Sequence, residues 1–301
     1  MQLHDKEQKN FMNISTDCAF CIINKQKKVI SAHKDSPECE DYLQDVMTLM
    51  GKEAFSRTSV WLTREIEQIQ NKYFHDRIDY RSLKHKYNQY LLSREDEIRC
   101  AIEHSEDRIL SCIRYVCAAN YIDFGAVEHV SDDMLNDLLE REVSIDTDEL
   151  RRFKSDLAQA KSLVYITDNC GEVVLDKLFI ETMRQYYPEL HITVLLRGGE
   201  AGNDATMEDA EEIGLIEVAE CMGNGSNLCG TDFSELSKDA AALLSGSDLI
   251  IAKGQANFET MHGGPYNPYY LFLCKCEHFT TLFQLPQYSP VLIREDELQQ
   301  W

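Results

Sequence analysis

The second half of the chain alternates between short apolar runs and longer amphipathic stretches. The apolar runs occupy residues 162–166, 192–196, 216–221 and 248–252, and a last one lies around 280–285. The stretches between them, including residues 268–276, are read as helices. Runs of four to six apolar residues that alternate with helical patterns are typical of parallel strands whose two faces are covered by helices. We therefore predict a Rossmann-like three-layer αβα domain with a mostly parallel sheet over residues 159–301.

The first half of the chain has a different pattern. Apolar residues recur at helical spacing over residues 41–74 and 93–123, and shorter helical patterns continue over 130–162. This periodicity predicts amphipathic helices. The predicted fold class is α/β, with a helical domain over residues 1–158 joined to the sheet domain.

The charge balance limits the partners of this chain. Acidic side chains number 52 and basic ones 30, which gives a formal net charge of -22. Such a surface repels nucleic acids, so we expect none as a partner. The N-terminus lacks the apolar core of a signal peptide, and no stretch approaches the roughly 20 apolar residues of a membrane helix. Eleven cysteines without an export signal favour a cytoplasmic protein with free thiols.

Polar side chains follow three of the predicted strands. The first strand is followed by "DNCGE", the second by "RGGEAGNDATMED" and the fourth by "KGQANFET". In open α/β sheets ligands bind beyond the carboxyl ends of the strands, so these loops are expected to meet at one edge. The candidate residues on them are Asp168, Asn169, Glu172, Asn203, Asp204, Lys253, Asn257 and Glu259.

These residue types indicate a particular chemistry. Asp168, Asn169 and Asp204 offer hard oxygen ligands, which suit Mg²⁺ or Mn²⁺ better than a thiolate zinc site. Lys253, with a glycine after it, brings positive charge and close backbone N–H groups to an anion. A metal and a lysine beside carboxylates are what phosphoryl transfer to water requires. Taken singly, an Asp-Asn pair after a strand is also a common helix N-cap.

Five segments in this order resemble one known family. "DNCGE", "GNDATMED" and "KGQANFET" follow the predicted strands, while "CAFC" at 18–21 and "AANYIDFG" at 118–125 lie in the helical half. Together they resemble the domain-of-unknown-function 89 family of metal-dependent damage-control phosphatases. The first helical segment is similar to the N-terminal Cys-x-x-Cys of the subfamily common in prokaryotes.

The resemblance implies a small phosphorylated metabolite, such as a sugar phosphate, as the substrate. It also implies a divalent ion, Mn²⁺, Mg²⁺, Co²⁺ or Ni²⁺, held by Asp168, Asn169 and Asp204. Lys253 would bind the substrate phosphate, and either Asp204 or Glu172 would orient the attacking water. The remaining implied pocket residues are Asn120, Asp123, Asn203, Asn257 and Glu259. The protein is expected to be a monomer or homodimer.

Alternative functions differ in what they require of the same segments. A carboxyl methyltransferase that uses S-adenosylmethionine needs a glycine-rich turn after its first strand, where "DNCGE" has one glycine and two acids. A non-catalytic metabolite or metal sensor stays open. Cys170 lacks the arginine loop of a cysteine phosphatase, and Cys18 and Cys21 supply only two of the four ligands of a structural zinc.

Overall fold

The computed structural model describes residues 14–75, 79–127 and 130–298. Within these ranges the chain forms two compact units. One contains residues 14–75 together with 262–264, and the other contains residues 79–261 and 265–298.

The first unit is helical. Its elements are α1 (Thr16–Ala32), α2 (Cys39–Glu53), a short 3₁₀ turn (Ala54–Ser56) and α3 (Ser59–Phe74). Ser15 and Thr58 cap α1 and α3 by accepting hydrogen bonds from backbone N–H groups of the first turn. Tyr42, Val46 and Leu62 are fully buried in a core that these helices share.

The second unit begins with helices and continues into the sheet. The helices before the sheet are α4 (Tyr80–Leu92), α5 (Glu95–His104), α6 (Arg108–Ala119), α7 (Asp132–Glu140) and α8 (Thr147–Gln159). Those between and after the strands are α9 (Glu172–Tyr186), α10 (Met207–Glu212), α11 (Lys238–Gly246), α12 (Gly254–Met261), α13 (Glu277–Phe283) and α14 (Glu295–Leu298).

Six strands form one mostly parallel sheet. They are β1 (Ser162–Ile166), β2 (His191–Leu196), β3 (Glu220–Gly223), β4 (Leu249–Lys253), β5 (Tyr269–Leu273) and β6 (Pro290–Arg294), in the spatial order β3-β2-β1-β4-β5-β6. Only β6 runs antiparallel to its neighbour. The order of the other five is that of doubly wound α/β sheets, in which β1 and β4 flank the point where the strand order reverses. The predicted α/β class with a mostly parallel sheet is confirmed.

The central strands are buried on both faces. In β1, Leu163 and Tyr165 face the core that α6 and α9 also line, while Val164 and Ile166 on the opposite face are buried as well. A strand covered on both sides needs apolar residues throughout, which explains why "LVYI" lacks the alternation of a half-exposed strand.

Two secondary-structure predictions near the C-terminus were wrong. Residues 269–273, predicted as helix, form β5, and the apolar run around 280–285, predicted as a strand, falls largely in α13. Phe279 and Phe283 are four residues apart on α13 and both are buried, which is a helical spacing. Strand β6 was not predicted, and the run at 216–221 contains a 3₁₀ turn before β3 begins. Short apolar runs do not by themselves distinguish strand from helix.

The helices that precede the sheet share its core. Ile113 and Val116 of α6 and Phe153 of α8 belong to the same buried cluster as Tyr165 of β1 and Phe179 of α9. The domain boundary predicted between residues 158 and 159 lies inside this second unit, and the division into two domains there stays a prediction. Within the three described ranges, none of the helices combines the length and the apolar character that a membrane crossing requires.

Candidate functional site

The loops after β1 and β2 are joined by backbone hydrogen bonds. Ala205 N donates to Asp168 O at 2.7 Å, and Cys170 N donates to Asn203 O at 2.8 Å. Asn169 and Asp204 form an isolated antiparallel bridge between these two bonds. The two predicted polar strand ends are therefore held side by side at the carboxyl edge of the sheet, as parallel strand geometry led us to expect.

Asp168 is almost completely buried and is surrounded by amides. Its Oδ2 accepts hydrogen bonds from Asn120 Nδ2 at 2.8 Å and from Asn169 Nδ2 at 2.6 Å. Asn120 is the C-cap residue of α6, and its own Oδ1 accepts from Leu273 N at the end of β5. Burial, Asp204 and Glu172 together raise the pKa of Asp168 well above its ordinary value. A nearby cation would relieve this destabilised negative charge.

Arg197 lies between the two aspartates of the site. Its Nε donates to Asp204 Oδ2 at 2.7 Å, and its Nη2 is 3.9 Å from Asp168 Oδ1. Burial raises the pKa of Asp204, although Arg197 opposes that effect. The guanidinium also contacts Thr231 and Asn257, and Asn257 Nδ2 donates to Thr167 O at 3.1 Å. Arg197 thus ties the ends of β1 and β2 to α12.

Glu172, at the start of α9, forms the other side of the site. Its Oε2 accepts from Asn120 Nδ2 at 2.8 Å and from Asn169 Nδ2 at 3.2 Å, and its Oε1 pairs with Lys253 Nζ. Lys253 also donates to Asp176 Oδ1 at 2.9 Å. Burial lowers the pKa of Lys253, but Asp176 and Glu172 outweigh it, so the pKa of this lysine lies above its ordinary value. The contact of Lys253 with a substrate phosphate stays a prediction.

A second lysine, Lys275, lies two residues beyond β5. Its Nζ donates to Asp123 Oδ2 at 2.5 Å, and Asp123 Oδ1 accepts from Gly125 N and Ala126 N. Burial raises the pKa of Asp123, but Lys275 and these N–H groups hold it below its ordinary value. Lys275 is also close enough to Asp168 to lower the pKa of that carboxyl. The Lys275–Asp123 pair therefore borders the site on the β5 side.

The structure brings together most, but not all, of the predicted residues. Asn203 Nδ2 donates to Asn169 Oδ1 at 2.8 Å and to Ile122 O at 3.0 Å, so Asn203 also links the β2 loop to the segment after α6. Glu259 lies half-buried in the last turn of α12, two residues after Asn257. Side chains two positions apart on a helix point to different faces, so Glu259 is not on the face that carries Asn257.

The donor set fits a divalent cation. Five carboxylates, of Asp123, Asp168, Glu172, Asp176 and Asp204, face three cationic side chains, of Arg197, Lys253 and Lys275, which leaves two formal negative charges. Within the described ranges, no three His, Cys, Asp or Glu side chains cluster in a way that could hold a metal. A cation bound here would therefore take the amide oxygen of Asn169 together with the carboxylates of Asp168 and Asp204.

Three charged residues of this site, Arg197, Lys275 and Asp176, were missed in the sequence. Asp176 lies inside α9 and away from any strand end, so the strand-end argument did not reach it. Arg197 directly follows β2, so the strand-end argument that selected Asp204 applied to it equally. Lys275 follows β5, and because that strand was read as a helix its end was not searched. Cys18 and Cys21 are free thiols on α1 of the first unit.

Comparison with known proteins finds damage-control phosphatases among the relatives of this chain. Over 267 residues it is 29% identical to an uncharacterized protein of Methanocaldococcus jannaschii, a match that covers 83% of this chain and 84% of that protein. It is 32% identical over 181 residues to a damage-control phosphatase of Archaeoglobus fulgidus, and 27% identical over 189 residues to one of Pyrococcus horikoshii. These two matches cover 58% and 60% of this chain and 62% and 63% of the relatives. The named relatives support a phosphatase role.

A solved structure shares the fold. The crystal structure of a DUF89 family protein from Pyrococcus horikoshii covers 94% of this chain and 99% of its own, with a TM-score of 0.77 and 22% sequence identity. The resemblance to the DUF89 family is confirmed, while membership of the subfamily with the N-terminal Cys-x-x-Cys stays a prediction. Residues 14–291 match the damage-control phosphatase ARMT1-like domain, and because this match spans most of the chain, the protein belongs to that family.

Proposed function

We propose that this protein is a metal-dependent phosphatase that hydrolyses phosphomonoesters of small metabolites, such as sugar phosphates, in the cytoplasm as a monomer or homodimer. The observation that carries the proposal is the convergence of Asp168, Asn169 and Asp204 at one edge of the sheet, with the guanidinium of Arg197 between the two aspartates. Paired carboxylates with raised pKa values at such an edge are typical of a functional site.

Asp168, Asn169 and Asp204 would hold a divalent ion, Mn²⁺, Mg²⁺, Co²⁺ or Ni²⁺. When bound, the ion supplies a Lewis acid for the phosphoryl oxygens and lowers the pKa of a bound water. Hydrogen bonds position two of these side chains, because Asn120 donates to Asp168 and Arg197 donates to Asp204.

The side chains around the ligands divide the remaining tasks. Lys275 is paired with one carboxylate, that of Asp123, which is partly exposed at 16%. A phosphate that replaced Asp123 would keep this lysine paired, so Lys275 is a candidate for binding the substrate anion, the role predicted for Lys253 from the sequence. Asp204 and Glu172 remain the candidates for orienting the attacking water, and Asn203 would line the substrate pocket beside them.

The decisive experiment measures hydrolysis of p-nitrophenyl phosphate with and without Mn²⁺ after exhaustive chelation. We expect activity only with the ion. Replacement Asp168→Asn is expected to lower kcat by about 1,000-fold or more, since it removes a ligand charge that the reaction uses.

A matched control lies at the opposite edge of the sheet. Asp248 precedes β4 and accepts hydrogen bonds from Lys161 N and Ser162 N at the start of β1. Asp248→Asn is expected to keep kcat within about threefold, because it changes a carboxylate far from the candidate ligands. Undiminished activity of the chelated protein, or of Asp168→Asn, would contradict the proposal. So would tight binding of S-adenosylmethionine by a protein that hydrolyses no phosphate ester.

A further inference from the structure

Hydrogen bonds join four buried side chains into one continuous network next to the candidate ligands. Tyr165 Oη donates to Asp176 Oδ1 at 2.6 Å, Lys253 Nζ donates to the same oxygen at 2.9 Å, and Lys253 Nζ also pairs with Glu172 Oε1. Tyr165, Glu172, Asp176 and Lys253 each have no exposed surface. This hydrogen-bonded network thus runs from near the end of β1 to Asp176 of α9, then to the end of β4, and back to Glu172 in the first turn of α9.

The ammonium group of Lys253 is already paired with two carboxylates, those of Glu172 and Asp176. Its two carboxylate partners are as buried as the lysine itself. If its ammonium turned to a substrate phosphate, Glu172 and Asp176 would become unpaired charges in a water-excluded interior. Leaving buried charges unpaired is strongly destabilising. The geometry therefore argues against direct contact between Lys253 and the substrate.

The lysine instead determines how Glu172 is presented. Because Oε1 is held by Lys253, Oε2 faces the amides and accepts from Asn120 Nδ2 and Asn169 Nδ2. A carboxylate acceptor fixes which end of each amide points toward it, since only the NH₂ end donates. The same two NH₂ groups hold Asp168 Oδ2. The orientation of Glu172 is thereby transmitted to the candidate metal ligands Asp168 and Asn169.

One oxygen atom of Asp176 is buried at a cost in stability. Asp176 Oδ2 is buried and, in the part of the chain that the structure describes, has no hydrogen-bond partner. An unsatisfied buried acceptor is destabilising, because it has lost its hydrogen bonds to water and gained none. Stability alone does not favour an aspartate at this position. Its role follows instead from the other oxygen, Oδ1, which accepts hydrogen bonds from Tyr165 and Lys253.

We propose that Tyr165, Asp176 and Lys253 are positioning residues, which fix Glu172 and through it the amides of Asn120 and Asn169. This inference rests on the proposed phosphatase function and assigns Lys253 to the support of the site instead of to the substrate phosphate. Among the described residues, Tyr165 and Asp176 make no hydrogen bond to the candidate ligands, so their effect on the reaction has to pass through Lys253 and Glu172.

The test compares Tyr165→Phe, Asp176→Asn and Lys253→Met with a control that loses an equivalent bond. Tyr270 on β5 is as buried as Tyr165, and its Oη donates to the buried carboxylate Glu295 Oε2 at 2.8 Å. Tyr270→Phe therefore removes the same hydroxyl group from another buried tyrosine–carboxylate hydrogen bond, one that does not involve Asp176, Lys253 or Glu172. For each variant we would measure kcat and KM for an aryl phosphate, the inhibition constant of inorganic phosphate and the thermal midpoint.

A positioning role predicts loss of kcat without loss of anion binding. Partners behind metal ligands are worth about 10–100-fold, so we expect about 5-fold lower kcat for Tyr165→Phe and about 10–100-fold for Asp176→Asn and Lys253→Met. KM and the phosphate inhibition constant should stay within about threefold, and Tyr270→Phe should match the parent protein in kcat. The mild Tyr165→Phe change keeps the test usable if Lys253→Met does not fold.

Two results would overturn the inference. One is a rise of tenfold or more in KM and in the phosphate inhibition constant of Lys253→Met, which would mean that the lysine binds substrate. The other is a kcat of Tyr165→Phe equal to that of Tyr270→Phe. Both presuppose an active parent protein, so they are distinguishable from failure of the proposed function, in which the parent itself shows no metal-dependent hydrolysis.

Discussion

Cys170 shows how a single residue can look reactive in the sequence and be inert in the fold. It lies between Asn169 and Gly171, inside the candidate site, yet it is fully buried, and burial raises the pKa of its thiol far above the ordinary value. A thiol that stays protonated is a poor nucleophile, and this agrees with the absence of a phosphate-cradling arginine loop after it.

We therefore expect Cys170→Ser to keep kcat within about threefold, because the thiolate takes no part in the reaction. Alkylation at pH 8, followed by mass spectrometry, provides a second measurement. The exposed Cys21 and Cys100 should react first, whereas burial raises the pKa of Cys112 and of Cys117 to about 12 and should protect them. Complete loss of activity in Cys170→Ser, with an unchanged thermal midpoint, would instead make this cysteine a participant.

At the scale of secondary-structure elements, the junction between β4 and α12 brings the backbone of Gly254 close to the side chain of Asp168. Gly254 begins α12 with a φ of 82°, and a Cβ at this position would lie 1.9 Å from Asp168 Oδ2. The helix can start there only because glycine has no side chain and tolerates positive φ. Gly51, in the last turn of α2, is helical and has nothing within 4 Å of an added Cβ.

Gly254→Ala is accordingly expected to displace Asp168 and to lower kcat by about 100-fold or more, with a lower thermal midpoint. Gly51→Ala is the matched control and should stabilise α2 by about 0.5–1 kcal/mol without a change in kcat. Thermal melting and steady-state kinetics of both variants test the pair. Parent-like kinetics of Gly254→Ala would show that Asp168 does not have to stay where the structure has it.

Across the whole molecule, the distribution of charge is more informative than its total. The formal net charge of -22 is spread over a long chain, and its main effect is to repel polyanions. The two excess negative charges around Asp168 and Asp204 are buried, so they are screened much less than the charges on the surface. Among the described residues, no third His, Cys, Asp or Glu completes a metal cluster there, so the ion would rely on Asn169.

A divalent cation should therefore stabilise the folded protein. At a concentration of 100 times its dissociation constant, a ligand that binds only the folded state adds about 2.7 kcal/mol. We expect millimolar Mn²⁺ or Mg²⁺ to raise the thermal midpoint by several degrees, and NaCl at the same ionic strength to fail to do so. The increase should disappear in Asp204→Asn and persist in Asp248→Asn. An equal increase in all three proteins would indicate non-specific binding to the acidic surface.

The amino-acid sequence by itself determined the fold class, the two central strands β1 and β4, and the loops that carry Asp168, Asp204 and Lys253. These follow from local pattern, because a strand buried on both faces must be apolar and its polar residues then collect at its end. Only the tertiary structure decided that 269–273 is a strand, that Arg197 and Lys275 join the site, and that Lys253 faces Glu172 and Asp176. Such pairings join side chains that are 7 to 152 residues apart in the sequence. They depend on which surfaces pack together, and periodicity along one segment carries no information about that.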